Sequence, residues 1–153
     1  MRYQIQIRKL DSISDQNLAR SVFDETWVMN SSSEITPNLL RAMIYSGAYL
    51  TGAFIGDNCV GAAFAFPATT GKLRLHSHMT AVLDKYRDQG IGHALKINQW
   101  FWAKENKYKE IIWTFDPLIR RNAKFNLIKL GVDIIGYYPN FYGDMFDALN
   151  IGD

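Results

Sequence analysis

The chain has 153 residues, of which 48% are hydrophobic, 21% charged and 14% aromatic, and its 17 basic and 15 acidic side chains leave a formal net charge of +2. That length fits one domain, residues 1–153, able to bury roughly two-thirds of its unfolded surface, and the composition is that of a globular protein and not a disordered one. The charges are spread without a basic tail or stripe, so nucleic acid is not an expected partner. The single cysteine, Cys59, excludes an internal disulfide and a Cys/His zinc cluster, and no metal is expected.

The first ten residues, MRYQIQIRKL, alternate apolar and polar side chains at Tyr3, Ile5 and Ile7 and read as a strand, not a signal peptide. No segment approaches the ~20 apolar residues of a membrane span, so a cytoplasmic protein without a membrane partner is expected. Ser14 can cap a helix in which Leu18, Ala19, Val22, Phe23 and Trp27 recur at helical spacing, ended by the polar run NSSSE at 30–34. A second helix opens with Thr36 as cap and Pro37 in the first turn, carries Leu39, Leu40, Met43 and Ile44, and stops at Gly47.

Residues 48–67, AYLTGAFIGDNCVGAAFAFP, form two apolar runs divided by Gly56-Asp57-Asn58, an antiparallel hairpin signal closed by Pro67. A strand over 73–83 follows, then a helix over 90–106 with Ala94, Ile97 and Phe101 on one face. Residues 110–115 read as a short buried strand broken by Asp116-Pro117. Residues 120–130 read as a helix capped by Gly131, and VDIIGYY at 132–138 as a sixth strand. The order βααββ-βα-βα-β predicts an α/β sandwich with parallel fourth and fifth strands.

Arg87-Asp88-Gln89-Gly90-Ile91-Gly92 lies where a strand ends and a helix begins. Two glycines allow close approach of backbone to a ligand, and the unpaired N–H groups of a helix start favour an anion. Arg87 and His93 could add donors; an ordinary strand-to-helix turn would use the same glycines for geometry alone. A dinucleotide fingerprint lacks its third glycine here, since Leu95 occupies that position, and no Walker Gly-Lys-Ser/Thr is present.

Arg-x-x-Gly-x-Gly after an apolar strand resembles the acyl-CoA pyrophosphate loop of the GNAT N-acyltransferase superfamily, and the order of strands and helices matches over nearly the whole chain. LHSHM, YRDQGIG, WTFDPL, RNAKFNLIKLG and PNFYG together look like a bacterial group of predicted acyltransferases of that superfamily. The resemblance implies a mixed, mostly antiparallel sheet whose parallel fourth and fifth strands splay apart, with helices on both faces. It implies pantetheine on the backbone of Ala81, Val82 and Leu83, and pyrophosphate at Arg87, Gln89, Gly90, Ile91, Gly92, His93 and Ala94. Asn122 matches an asparagine near the pantetheine. Acetyl-CoA is the expected donor, with succinyl-CoA as the alternative if a basic residue lies near the acyl end; Arg74 shares the histidine face but lies further along the strand.

Strict alternation on the fourth strand would put Leu73, Leu75, Ser77, Met79, Ala81 and Leu83 on one face and Arg74, His76, His78, Thr80 and Val82 on the other. Two buried, satisfied histidines would be an ordinary outcome. Beside an acyl-CoA loop they read as a base, because an amine of pKa ~10 must lose a proton before it attacks a thioester, and histidine at ~6.5 suits that near neutrality. The pair also stands before the loop arginine as the paired histidines of serotonin N-acetyltransferase do. Many relatives carry a tyrosine, the proton donor to the leaving thiolate, where this chain has Leu127. Asn126, Tyr137, Tyr138 or Tyr142 could replace it, and Tyr142 is the candidate carried forward.

Cys59 lies away from the loop, which favours direct attack by a small-molecule primary amine over an acyl-cysteine step. Asp116 could orient the amine or simply cap a turn. The acceptor would be set by residues 23–47, with Phe23, Trp27 and Tyr45, and by the 137–143 turn. The tail DMFDALNIGD offers no further strand, so the sheet's final strand is expected to be missing, and a homodimer would cover the edge left open. A non-catalytic acyl-CoA-binding protein is the remaining alternative.

Overall fold

The computed structural model describes residues 4–28 and 33–143; Tyr3, most of the NSSSE run and the tail 144–153 lie outside the described residues. Strand β1 (Ile5–Lys9) leads to helices α1 (Ile13–Thr26) and α2 (Pro37–Tyr45), the hairpin β2 (Tyr49–Ile55) and β3 (Asn58–Ala68), then β4 (Arg74–Val82), helix α3 (Ile91–Glu105) and β5 (Glu110–Ile112). These strands form one five-stranded sheet in sequence order, antiparallel throughout except for the parallel pair β4–β5. Helix α4 (Arg120–Ala123) runs on into a wider π-helical turn at Lys124–Leu130, closed by Gly131 in the left-handed conformation.

Helix α1 starts two residues earlier than the sequence indicates. Ser12, not Ser14, is the N-cap, its Oγ accepting from Asp15 N at 3.1 Å, while Ser14 bonds only to Ser12 Oγ at 2.9 Å. Thr36 and Pro37 open α2 as expected, Thr36 Oγ1 accepting from Leu39 N at 3.3 Å. Pro67 does not close β3 but pairs with Leu75 inside it. The β2 ladder begins at Tyr49 opposite Ala65, so Pro67 lies past its end, where a missing N–H breaks no ladder bond.

The sheet separates two apolar layers. Phe23, Leu40, Phe54, Phe64, Met79 and Ala81 pack with α1 and α2 on one face, and Tyr49, Val60, Ala63, Leu75, Ile91 and Leu95 pack with α3 on the other. Each such fully buried large side chain contributes about 1.5–3 kcal/mol. Helix α3 buries Ile91, Leu95, Gln99 and Ala103, whereas Ile97 and Phe101 face outward, so the stripe read from the sequence is not the core stripe.

Residues 132–138 form no strand, and Ile134, Ile135, Tyr137 and Tyr138 are exposed, Ile135 at 79%. Among the described residues the sheet therefore ends at β5. β5 is itself short: it pairs with β4 only through Arg74–Glu110, Leu75–Ile111 and His76–Ile112, and beyond Ile112 the two chains part. From Ser77 to Val82 the β4 edge has no ladder partner on that side.

Candidate active site

Met79 pairs with Phe64 and Ser77 with the adjacent Ala65, so His78 is an extra residue in β4, a β-bulge. The bulge reverses the alternation. Leu75 and Ser77 face α3, whereas Met79 and Ala81 face α1 and α2, and Val82 returns to the α3 side. Thr80 and Val82 therefore do not share the histidine face, as strict alternation would have it. His76 and His78 do share a face: the His76 ring stacks on Phe66 at 5.0 Å, and His78 lies 5.7 Å from Phe66 and 6.1 Å from His76.

The wall around the histidines comes from distant parts of the chain. Tyr142 brings its ring to 6.2 Å from His78 and shares a 2.9 Å hydrogen bond with Thr114. Glu34 Oε1 lies 3.9 Å from His78 Nε2. Burial lowers both imidazoles below the ordinary histidine value, helped at His76 by the neighbouring His78 and Lys96. Both rings are thus neutral, and able to accept a proton, at pH 7. A groove of about 410 Å³ between Met43 and Ser46 of α2 and Phe66 and Pro67 of β3 opens beside the His76 stack. Tyr45 is 86% exposed and Phe23 is core, so neither of these expected acceptor residues lines that groove.

At the other end of β4, a 3₁₀ turn at Asp84–Tyr86 leads to Arg87, then Asp88 and Gly90 in the left-handed region, with Gly90 as the N-cap of α3. Gly90 has φ +83°, which glycine adopts without strain, and no atom lies within 4 Å of where a Cβ would stand. The first intrahelical donor is Ala94 N to Gly90 O at 2.9 Å, so the amides of Ile91, Gly92 and His93 are those a helix start leaves without an intrahelical partner. Gln89 and His93 are exposed, and Arg87 turns back along the loop, its Nε donating to Val82 O at 3.3 Å and its guanidinium pairing with Asp84. A Cβ on Gly92 would meet Val82 and Phe125 at 3.8 Å each, which brings loop, β4 and the π-helical turn around one opening. Asn122 borders it from α4, its carbonyl accepting from Asn126 Nδ2 at 2.9 Å.

The opening between β4 and β5 holds groups that the motif reading passed over. Lys96 Nζ donates to Ser77 Oγ at 2.7 Å and lies 4.0 Å from the centre of the Trp113 ring, and Trp113 Nε1 donates to buried Asn126 Oδ1 at 2.7 Å. The available signal was spacing: Lys96 follows Gly92 by four residues and so lies on the same helix face. Asn126 is committed to Trp113, Leu127 is exposed, and Tyr137 and Tyr138 stand outside. Arg74 pairs with Glu110 at 2.8 Å, which also takes Lys72 at 2.9 Å. Burial pushes the Cys59 thiol up to about 11, unsuited to a nucleophile, and Asp116 accepts from Leu118 N at 2.8 Å as a turn cap.

No family model and no curated protein matches this chain. Solved structures do. An aminoglycoside acetyltransferase from an uncultured soil metagenomic sample, in complexes with trehalose and with sisomicin, superposes with TM-score 0.72 at 16% identity, covering 90% of this chain and 95% of its own. A transcriptional regulator from Bacillus halodurans C-125 gives 0.71 at 21% identity over 88% and 97% of the two chains. A Trypanosoma brucei acetyltransferase gives 0.67 at 16% over 88% and 96%. What is shared at these identities is the fold: a mixed sheet with one parallel pair and helices on both faces, the GNAT-type architecture expected from the sequence.

Proposed function

We propose that this chain is a CoA-dependent N-acyltransferase that moves an acetyl group from acetyl-CoA to a primary amine of a small molecule, by direct attack in a ternary complex. The observation that carries this reading is the parting of β4 and β5 after the His76–Ile112 pair, beside the open N-terminus of α3. An unpaired strand edge can hydrogen-bond an amide-bearing chain such as pantetheine, and a helix start can hold its pyrophosphate. In these roles Ala81, Val82 and Leu83 supply strand backbone, and Arg87 with Gln89 to Ala94 supply the anion site. Asn122 lies on the far wall.

On the α1/α2 face, His78 with His76 takes the amine proton through water, Glu34 orients His78, and Tyr142 walls the acceptor side. A succinyl donor would need a free cation at the acyl end, and Arg74 is already engaged by Glu110. The test is a melting-temperature screen followed by thiol-release assays with amines. CoA or acetyl-CoA at 100 times its dissociation constant should add ~2.7 kcal/mol, roughly 5–11 °C for a chain of this size. No shift with any CoA ester overturns the reading, and a shift without thiol release with any amine identifies a binding protein instead.

A further inference from the structure

Lys96 occupies the closed end of the gap. His76–Ile112 is the last ladder pair, so Ser77 and Trp113 are the first residues to stand across the opening, and the Lys96 ammonium bridges them. No carboxylate among the described residues lies within ion-pair distance of it. The run from Val82 to Ser77 along the free β4 edge is about 17 Å at ~3.3 Å per residue, so a linear acyl-pantetheine chain laid from the helix start is led toward this lysine.

The histidines lie on the opposite side of the sheet, toward α1 and α2. The gap thus has a proton acceptor on one face and a cation on the other, while Leu127 offers no proton at all.

We propose that Lys96 is the proton donor to the departing thiolate, delivering its proton to sulfur from the α3 side while His76 and His78 serve the amine from the other; this rests on the acyltransferase reading above. The amine nitrogen attacks the thioester carbonyl carbon, the C–N bond forms and the C–S bond breaks. Sulfur leaves with the bonding pair and takes the Lys96 proton, giving the free thiol and a neutral lysine that is reprotonated from solvent. The amine's proton passes through water to His78 and on to solvent. Burial pushes Lys96 down to about 7, so transfer to a thiolate of pKa ~8.5 runs downhill. The titratable groups around Lys96 are His76 on β4, coupled in turn to His78, and His93 a turn earlier on α3; Ser77, Trp113 and Asn126 carry no charge.

The experiment compares the wild type with Lys96→Met, of similar length but without a proton, and Lys96→Arg, which keeps the cation but holds its proton too tightly to give it up. Melting curves with CoA check that each variant folds and binds. With acetyl-CoA, kcat should fall by about 10²-fold or more in both variants. With an acetyl aryl thioester, whose thiolate leaves without a proton, it should change little. The wild-type kcat should also decline above about pH 7 as Lys96 loses its proton, and this limb should vanish in Lys96→Met.

Equal loss with both donors, full rescue by Lys96→Arg, or a loss confined to succinyl-CoA would each overturn the assignment, the last by making Lys96 a holder of the acyl carboxylate. Wild-type turnover with an indifferent Lys96→Met refutes the lysine alone, whereas a wild type that neither melts higher with CoA nor releases thiol refutes the acyltransferase reading and the lysine with it.

Discussion

His76 and His78 owe their shared face to one extra residue in β4. Without the bulge at His78, Met79 would not face the α1/α2 core. Their lowered pKa values have two consequences of defined sign. In the proposed mechanism the neutral rings are the active form, so the rate should fall only as pH drops through a value below the ordinary ~6.5 of histidine. Replacing His78 by Gln should cost about 10²–10⁴-fold in kcat/KM at neutral pH and less at high pH, where free amine is abundant; an unchanged rate would remove the residue from the mechanism.

For stability, the unfolded chain protonates these histidines at about 6.5 and the folded chain only at a lower pH, so the unfolded state binds more protons between the two values. Stability should therefore rise with pH through that window and be lost as pH falls from 6.5. Melting temperatures measured between pH 5 and 7 should show this slope, flattened in a His76→Gln/His78→Gln double variant.

Among the elements, α1 offers a direct check of where its helix begins. Ser12→Ala should remove the cap and cost about 1 kcal/mol, roughly 2–4 °C in melting temperature, whereas Ser14→Ala should stay within ~0.5 kcal/mol. Equal losses would restore the cap to Ser14. Two serines two residues apart are equivalent to a pattern reading; the position of Arg8, whose guanidinium holds Asp15 at 2.9 Å and lowers its carboxyl, helps settle which turn is first. At α3 the local signals were sufficient, because Gly90 and Gly92 carry the turn geometry in the sequence itself. For β5 they were not: 110–115 is apolar enough for a strand throughout, yet pairing stops at Ile112, where Trp113 turns to Asn126 instead.

At the scale of the molecule, the two apolar layers hold the sheet rigidly enough to keep a gap open at one side. Leu95 is fully buried in the α3 layer, and Leu95→Ala should cost about 2–5 kcal/mol, visible as a melting temperature lower by roughly 4–20 °C. A smaller loss would mean that α3 repacks and would loosen the gap that it borders. The sequence by itself determined the strand and helix order, the hairpin, the phosphate-type loop and the presence of two histidines on β4, because capping, turn chemistry and periodicity are local. Only the tertiary structure decided that His78 bulges, that residues 132–138 stay out of the sheet, that Tyr142 and Glu34 reach the histidines, and that Lys96 stands across from Trp113. Register, bulges and the end of a ladder depend on partners far away in the chain, and so does the burial that tunes a lysine on a helix otherwise read for its loop.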